Sequence, residues 1–221
     1  MEEITQLIDT GKYNEALAML NELLLANEYD LQAMSLKATV LLKLNQHQES
    51  ISIYSSLINL IPNDPDNYAG RGLAYHYAGE KSMALTDFDK AIALNPDNGY
   101  RYSSRAFIRD YYGDSEGALN DYNKAITLDP EDAISLNNIG VIQEKLGQIN
   151  EARQNFDKAD EITGVDLKSL QIPTIPETKT DDKAKPAQTS ESGISHFFTT
   201  LKGLLTSPDE RRNFYRFLFR K

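Results

Sequence analysis

The sequence repeats itself every 34 residues, and this period constrains the fold more than any other feature. The stretch 65–98 matches 99–132 without a gap, and both copies carry (Asp/Asn)-Lys-Ala-Ile in their second half. Further copies fit at 31–64 and 133–166, and a truncated copy fits at 1–30. A fixed period between about 20 and 50 residues indicates supersecondary units that stack on their neighbours.

Each copy predicts a pair of helices when its positions are numbered 1 to 34 from Pro65. Apolar residues recur every three to four positions, which is the helical period. Positions 8 and 20 are small in nearly every copy, as two closely crossing helices require, and position 24 carries a ring or Leu. Gly or Asn at position 15 predicts a left-handed end to the first helix. Proline at position 32 (Pro62, Pro96 and Pro130) predicts the end of the second.

These features closely resemble the tetratricopeptide repeat (TPR) family in length, small–small–aromatic pattern, turn glycine and terminal proline. The resemblance spans 1–166 and implies an all-α, right-handed superhelical solenoid of about five repeats, with a partial cap at 165–172. Position 7, often leucine in the family, is Lys37, Arg71 and Arg105 here, and position 11 becomes Arg109 and Gln143. We expect these departures to weaken individual units. We also expect the run Leu23-Leu24-Leu25 to be buried against the second unit.

Composition and charge narrow the classes of partner and compartment. The chain has a net charge of −10, and residues 1–170 hold 27 acidic and 14 basic side chains. This argues against nucleic acid as a partner, because Lys and Arg contacts to phosphate dominate such binding. It favours basic or neutral proteins. The chain has no cysteine, which excludes disulfides and thiolate metal sites. The acidic N-terminal sequence and the lack of a long apolar stretch predict a cytoplasmic protein.

No residue pattern indicates catalysis, a cofactor or a metal site. The three histidines stand in different contexts without a second ligand at helical spacing, and the glycines occur singly. Carboxylates such as Asp87, Asp89 and Asp97 are expected to be solvated, and His47 to be a packing residue. Nothing assembles a nucleophile, a base and an orienting group, so we predict a protein that is not an enzyme.

The resemblance implies that partners bind the concave surface, lined by first-helix residues that packing does not use. Positions 2, 5, 9, 12 and 13 of each unit form this row, which we call the helix-A stripe. Its middle is aromatic and aliphatic, as a surface that seats the anchors of a bound peptide or helix would be. For any single ring, packing against the neighbouring first helix is the alternative. The residues predicted to line the partner-binding groove are Thr39, Leu42, Leu73, His76, Tyr77, Tyr100, Ser103, Phe107, Asp110, Tyr111, Asn137 and Val141.

One subclass of the family, which clamps the C-terminal carboxylate of chaperones, is not supported. It requires Lys, Asn, Asn, Lys and Arg at five set positions. Starting from the second unit, this sequence has Ser35, Thr39, Gly70, Tyr100 and Ser104 there. The resemblance therefore implies a non-enzymatic, co-chaperone-like adaptor that binds an apolar peptide or helix without this clamp.

The remaining chain divides into a linker and a tail. Residues 173–193 contain three prolines and little apolar material, which predicts a disordered linker spanning roughly 25 Å. Residues 194–221 predict two amphipathic helices, the second beginning at Ser207-Pro208. The tail has six basic and two acidic residues. The residues predicted to dock it on a surface are Ile194, Phe197, Phe198, Leu201, Leu204, Leu205, Phe214, Phe217 and Leu218.

Three destinations for the tail remain open from sequence. It could cap the fifth unit, fill the groove, or bind an anionic membrane surface. Its positive charge favours docking on the acidic repeats, of its own or a neighbouring copy. The membrane destination gives the alternative function, a peripheral membrane-associated adaptor anchored by these helices.

Overall fold

The computed structural model describes residues 1–164, and α-helices make up most of them, with no β-strand in this range. The predicted cap at 165–172, the linker at 173–193 and the tail at 194–221 lie outside the described residues. The helices pair into five units, each with a first helix A and a second helix B. Their bounds are α1 Glu2–Asp9, α2 Tyr13–Ala26, α3 Leu31–Lys43, α4 His47–Leu60, α5 Pro65–Tyr77, α6 Lys81–Leu94, α7 Gly99–Tyr111, α8 Ser115–Leu128, α9 Ala133–Lys145 and α10 Ile149–Thr163.

Local chemistry at the helix ends explains these bounds. Three A helices begin after an aspartate whose side chain accepts a backbone hydrogen bond from the first turn, with distances of 2.9–3.0 Å: Asp30, Asp64 and Asp132. Between helices A and B, one residue of every unit has a positive φ, from 60° to 84°, as predicted for position 15: Gly11, Asn45, Gly79, Gly113 and Gly147. This left-handed residue turns the chain back on itself in each hairpin.

The core is a row of local clusters, as a stacked-unit fold requires. In unit two Ala38 packs with Tyr54 and Leu57, and in unit four Ala106 packs with Ala118 and Tyr122. The small positions allow the helices to approach closely. At position 8 of unit three, a Cβ added to Gly72 would lie 2.9 Å from the Phe88 ring.

Neighbouring units interlock through the ring at position 24. A Cβ added to Gly70 would lie 2.4 Å from Tyr54 Cζ, so the ring of unit two occupies the space above the unit-three glycine. In unit five the equivalent residue, Asn138, donates a hydrogen bond to the Tyr122 hydroxyl of unit four at 3.0 Å. In both pairs, the residue at position 6 thus fits the position-24 ring of the preceding unit, either by leaving space for it or by bonding to it.

The arginines at position 7 form ion pairs rather than leaving the units loosely packed. Arg71 donates to Asp87 through Nε at 2.7 Å and Nη2 at 2.8 Å, and through Nη1 to Ser55 of the preceding unit at 3.1 Å. The Asp87 interaction is the main reason why the pKa of Arg71 is raised. Asp87 is only 5% exposed, so the expectation that it would be solvated was wrong. The hydrogen bonds between Arg71 and Asp87 replace the water that each charged group would otherwise bind.

Unit four repeats this arrangement and extends it. Arg105 donates to Asp121 at 2.8 and 2.6 Å, and Nη1 donates to Asp89 of unit three at 2.6 Å. Arg109, at position 11, lies 2.9 Å from the same Asp121 carboxylate. In unit five the corresponding Gln143 accepts a hydrogen bond from Asn155 at 2.8 Å. In units three to five the departures at positions 7 and 11 are therefore compensated at position 23 of helix B, whereas Lys37 of unit two has Ile53 at that position.

The expected burial of the three consecutive leucines of α2 against unit two holds for Leu24, which packs on a core cluster containing Ala33 and Val40, and was wrong for Leu23 and Leu25. Leu24 is half-buried, but Leu23 is 37% exposed and Leu25 is 87% exposed. Successive helical residues point about 100° apart, so three in a row cannot face the same neighbour.

Candidate protein-binding surface

A cluster of aromatic rings lies on the helix-A stripe where units three and four meet. The helix ends of α5 and α7 bring position 12 of one unit beside positions 9 and 13 of the next. His76 is the centre, with its ring centroid 4.8–5.8 Å from four others. We call His76 and these four rings the aromatic cluster: Tyr77, Phe107, Tyr111 and Tyr112. Edge-on geometry between His76 and the last three is the favoured arrangement of aromatic pairs.

The cluster has a buried base and an exposed outer layer. His76 is 7% exposed, and Phe107 packs against the core clusters of both units three and four. Tyr77 is 54% exposed and Tyr111 is 63% exposed. Of these four residues predicted to contact a partner, the two tyrosines are accessible. His76 is enclosed by rings from two helices and serves as their support.

Burial also determines the protonation state of His76. Desolvation lowers the pKa of His76, and its Nδ1 has no hydrogen-bond partner among the described residues. His76 is therefore neutral at pH 7. His47, at the start of α4, stacks on Tyr77 with ring centroids 5.8 Å apart, which confirms its prediction as a packing residue.

Further along the stripe, unit four presents polar groups beside the rings. Tyr100 is 47% exposed, and Ser103 donates a hydrogen bond to its carbonyl oxygen at 3.0 Å. Asp110 accepts from the Ser115 hydroxyl at 3.1 Å and from the Lys145 ammonium of unit five at 3.2 Å. The Lys145–Asp110 pair joins the helix A ends of the last two units.

The outer parts of the predicted groove are largely engaged in packing. The Thr39 hydroxyl donates to the Ser35 carbonyl at 3.0 Å and lies 3.1 Å from the Tyr54 hydroxyl. Leu42 packs on the unit-two core. The remaining predicted residues are half-buried: Leu73, Asn137 and Val141. The accessible aromatic surface is therefore concentrated in units three and four.

Tyr112 is the member of the cluster that the stripe positions do not include. It follows the last residue of α7, contacts His76 and Tyr111, and lies under the Lys81 ammonium at 5.3 Å. The adjacent tyrosines Tyr111 and Tyr112 in the sequence are the signal that could have identified it.

A second concavity lies between units four and five, with a volume of about 290 Å³. Its lining is mostly apolar: Ile126, Pro130, Leu136, Lys158, Glu161 and Ile162. Position 4, which is Leu136 here, is Tyr68 and Tyr102 in the preceding units. The Tyr68 hydroxyl donates to the Pro62 carbonyl at 3.1 Å. The smaller leucine cannot extend as far as the equivalent Pro130 carbonyl.

The described helices offer neither a metal site nor a membrane span. Residues 1–164 contain no group of three His, Cys, Asp or Glu side chains placed to hold a metal ion. Among the helices of this range, none combines the length and the apolar character needed to cross a membrane.

The structure is similar in fold to solved repeat proteins. MamA shares 22% identity at a TM-score of 0.63, over 76% of this chain and 98% of that one. TTC0263, a TPR protein of Thermus thermophilus, shares 21% at a TM-score of 0.66, over 76% and 92%. YrrB, a TPR protein with an unusual peptide-binding site, shares 18% at a TM-score of 0.56, over 76% and 86%. No curated protein sequence matches the chain significantly.

Matches to protein-family models identify the family of this chain. Three models described as tetratricopeptide repeat match residues 7–71, 65–98 and 133–165, and one described as TPR repeat matches 112–147. These matches cover helices from all five pairs, together with their left-handed turns. This chain therefore belongs to the tetratricopeptide repeat family of protein-binding solenoids.

Proposed function

We propose that this protein is a non-catalytic, co-chaperone-like adaptor that binds an apolar peptide, extended or helical, along the helix-A stripe of units three and four. The observation that carries the proposal is the exposure of Tyr77, Tyr100 and Tyr111 on this stripe, each close to half or more. Large amphipathic rings are the side chains that contribute most at protein interfaces.

The support beneath the tyrosines makes them suited to binding. The Tyr111 ring packs edge-on against His76 and Tyr112, with ring centroids 4.8 and 5.0 Å apart. The Tyr77 ring is stacked on His47. Rings that are already fixed lose little conformational entropy when a partner covers them. Apolar side chains of the peptide would pack on the ring faces, while the tyrosine hydroxyls would bond to its backbone.

The charge of the residues around the helix-A stripe favours a partner that is neutral or basic. Asp110 is shared between Ser115 and Lys145 and lies next to Tyr111 in sequence. The described residues carry 26 acidic and 13 basic side chains, which disfavours an acidic peptide. The five positions of the chaperone carboxylate clamp are not occupied by its residues, so binding through a terminal carboxylate is not part of the proposal. The peptide-binding site of YrrB gives a precedent on the same fold.

The experiment is selection from a displayed library of random 12-residue peptides against the full chain. Enriched peptides are expected to be apolar and to lose about 30-fold in affinity on Tyr111→Ala, since a truncated anchor costs about 2 kcal/mol. Tyr29→Ala is the matched control, because Tyr29 is also 63% exposed but lies in the loop between units one and two.

Two results would overturn the proposal. One is that no peptide family is enriched. The other is that enriched peptides bind Tyr111→Ala as tightly as they bind the unchanged chain. Phe107 is not a suitable position for this test, because its ring supports two core clusters and its loss would disturb the fold.

A further inference from the structure

The concavity between units four and five, which we call the unit-five cleft, corresponds to a site that a tyrosine ring occupies in unit three. There Tyr68 stands at position 4, and its hydroxyl donates a hydrogen bond to the Pro62 carbonyl at 3.1 Å. The Lys90 ammonium lies over the same ring, 6.0 Å from its centroid. The Tyr68 ring thus has a hydrogen-bond acceptor at its hydroxyl and a cation at its face, two contacts that favour a phenol.

The residues that line the unit-five cleft are the counterparts of those around Tyr68, two 34-residue periods further along the chain. Three of the six are unchanged in type from unit three and its preceding neighbour: Ile126, Pro130 and Lys158. Ile162 replaces a leucine, which keeps the wall apolar. The main difference is at position 4, where Leu136 replaces the tyrosine. The cleft therefore keeps the surroundings of a tyrosine ring without the ring.

The cleft has room for one aromatic side chain. Leu136 is 4% exposed and lines a space of about 290 Å³. Ligand pockets range upwards from about 300 Å³, so this volume suits a single ring rather than a large cofactor. The Pro130 carbonyl, unlike that of Pro62, receives no tyrosine hydroxyl from its own chain, because position 4 is a leucine.

The charges beside the cleft favour a neutral ring over an anionic one. Lys158 and Glu161 are three residues apart on α10, and both line the cleft. Glu161 stands where unit three has Ala93, and its carboxylate repels an anion. A phenol is neutral at pH 7, because its pKa is about 10, whereas a phosphorylated tyrosine carries a charge of about −1.5 to −2. The chemistry of the cleft therefore matches an unmodified tyrosine.

We propose that the unit-five cleft binds the side chain of a tyrosine from a partner protein. The ring packs between Ile126 and Ile162 with its face towards Lys158, and its hydroxyl donates to the Pro130 carbonyl. The cleft lies near the beginning of α9, and position 12, where the aromatic cluster has its centre in unit three, is about 12 Å further along a helix A. This site is separate from the proposed peptide site, so each can fail without the other.

NMR of the full chain with labelled isoleucine methyl groups tests the proposal. The probe is N-acetyltyrosinamide, whose ring current is expected to shift the methyl signals of Ile126 and Ile162. The methyl signals of Ile58 should not move, because the equivalent site holds Tyr68. The O-methyl ether of the probe has the same ring but cannot donate a hydrogen bond. We expect it to bind about fivefold more weakly.

Two pairs of variants locate the site. Leu136→Tyr supplies the ring from within the chain and is expected to abolish the shifts. Glu22→Tyr, which adds a tyrosine at an exposed position of α2, is expected to leave them unchanged. Lys158→Ala changes only an exposed side chain and should weaken binding about threefold. Lys90→Ala, the equivalent change in unit three, should have no effect on binding.

Three results would overturn the proposal: no shift at Ile126 and Ile162 up to the solubility limit of the probe, equal affinity for the probe and its methyl ether, or shifts that persist in a folded Leu136→Tyr variant. If Leu136→Tyr does not fold, equal effects of Lys158→Ala and Lys90→Ala would overturn it instead. A final titration uses p-cresol. Binding of p-cresol without binding of N-acetyltyrosinamide would also contradict the proposal, since the cleft would then accept a free phenol but not a side chain attached to a polypeptide.

Discussion

Arg105 and Asp121 form a two-bond ion pair at 2.8 and 2.6 Å between helices A and B of unit four, with the Asp121 side chain only 6% exposed. Removing one partner of such a pair leaves a buried charge without compensation. We expect Asp121→Ala to lower the free energy of unfolding by about 3 kcal/mol, since both arginines would lose their buried carboxylate. Arg105 would keep only the exposed Asp89, and Arg109 would keep only Asp114 at 3.8 Å. Urea titration followed by circular dichroism measures this.

Asp89→Ala provides the control for this prediction. Asp89 also bonds Arg105, but its side chain is 59% exposed, and exposed pairs contribute about 0–1 kcal/mol. Replacing both partners, as Arg105→Leu/Asp121→Leu, should recover most of the loss, because apolar pairs of similar volume substitute well for buried ion pairs. Equal losses for Asp121→Ala and Asp89→Ala would contradict the interpretation.

His76 makes the stability of the repeats depend on pH. Its folded-state pKa is lowered by burial, so the unfolded chain takes up a proton more readily, beginning near pH 6.5. The stabilisation is therefore fully present above about pH 6.5 and is lost as the pH falls below it, with a slope of at most about 1.4 kcal/mol per pH unit. Urea titrations between pH 7.5 and 5 measure it.

His76→Phe should remove this contribution while keeping the edge-on ring contacts. The variant His47→Phe, which changes the stacked but less buried histidine, should retain it. An unchanged pH dependence in His76→Phe would show that other groups are responsible.

Two substitutions of the left-handed turn residue Gly113 are expected to differ in their effect on stability. Gly113 has φ +84° with open space where a Cβ would lie, and Asn45 occupies the same turn position with φ 60°. We expect Gly113→Asn to be nearly neutral and Gly113→Ala to cost about 1 kcal/mol, because a Cβ strains this backbone region unless the side chain can bond locally. Thermal unfolding monitored by circular dichroism compares the two. Equal effects would mean that the turn can relax.

The cleft between units four and five predicts a stabilising substitution. Leu136→Tyr would restore the residue type found at this position as Tyr68 and Tyr102, and its hydroxyl would reach towards the Pro130 carbonyl. Filling such a space commonly adds about 0.5–2 kcal/mol. Leu136→Phe, which lacks the hydroxyl, should gain less. A lower melting temperature for Leu136→Tyr would show that the space cannot accept the ring.

The helices, the turns and the interlocking small and aromatic positions could be predicted from sequence because each depends on residues within one 34-residue unit. The ion pairs were not predicted although they lie within one unit, because Arg71 replaces the leucine usual at position 7 and Asp87 was expected to face solvent. His76 was predicted to be accessible because position 12 was treated alike in every unit. Its burial comes from Phe107, Tyr111 and Tyr112 of the next unit, which a single-unit pattern does not contain.

The fit between Tyr54 and Gly70 limits how this chain can be rearranged. Each ring at position 24 is followed by a different residue at position 6 of the next unit: Gly70 opposite Tyr54, Ser104 in the unit after Phe88, and Asn138 bonded to Tyr122. A shuffled order that placed unit five directly after unit two would put an asparagine side chain where the Tyr54 ring lies. Although the units share one pattern, they are not interchangeable modules. The contacts between neighbouring units require the order that they have along the chain.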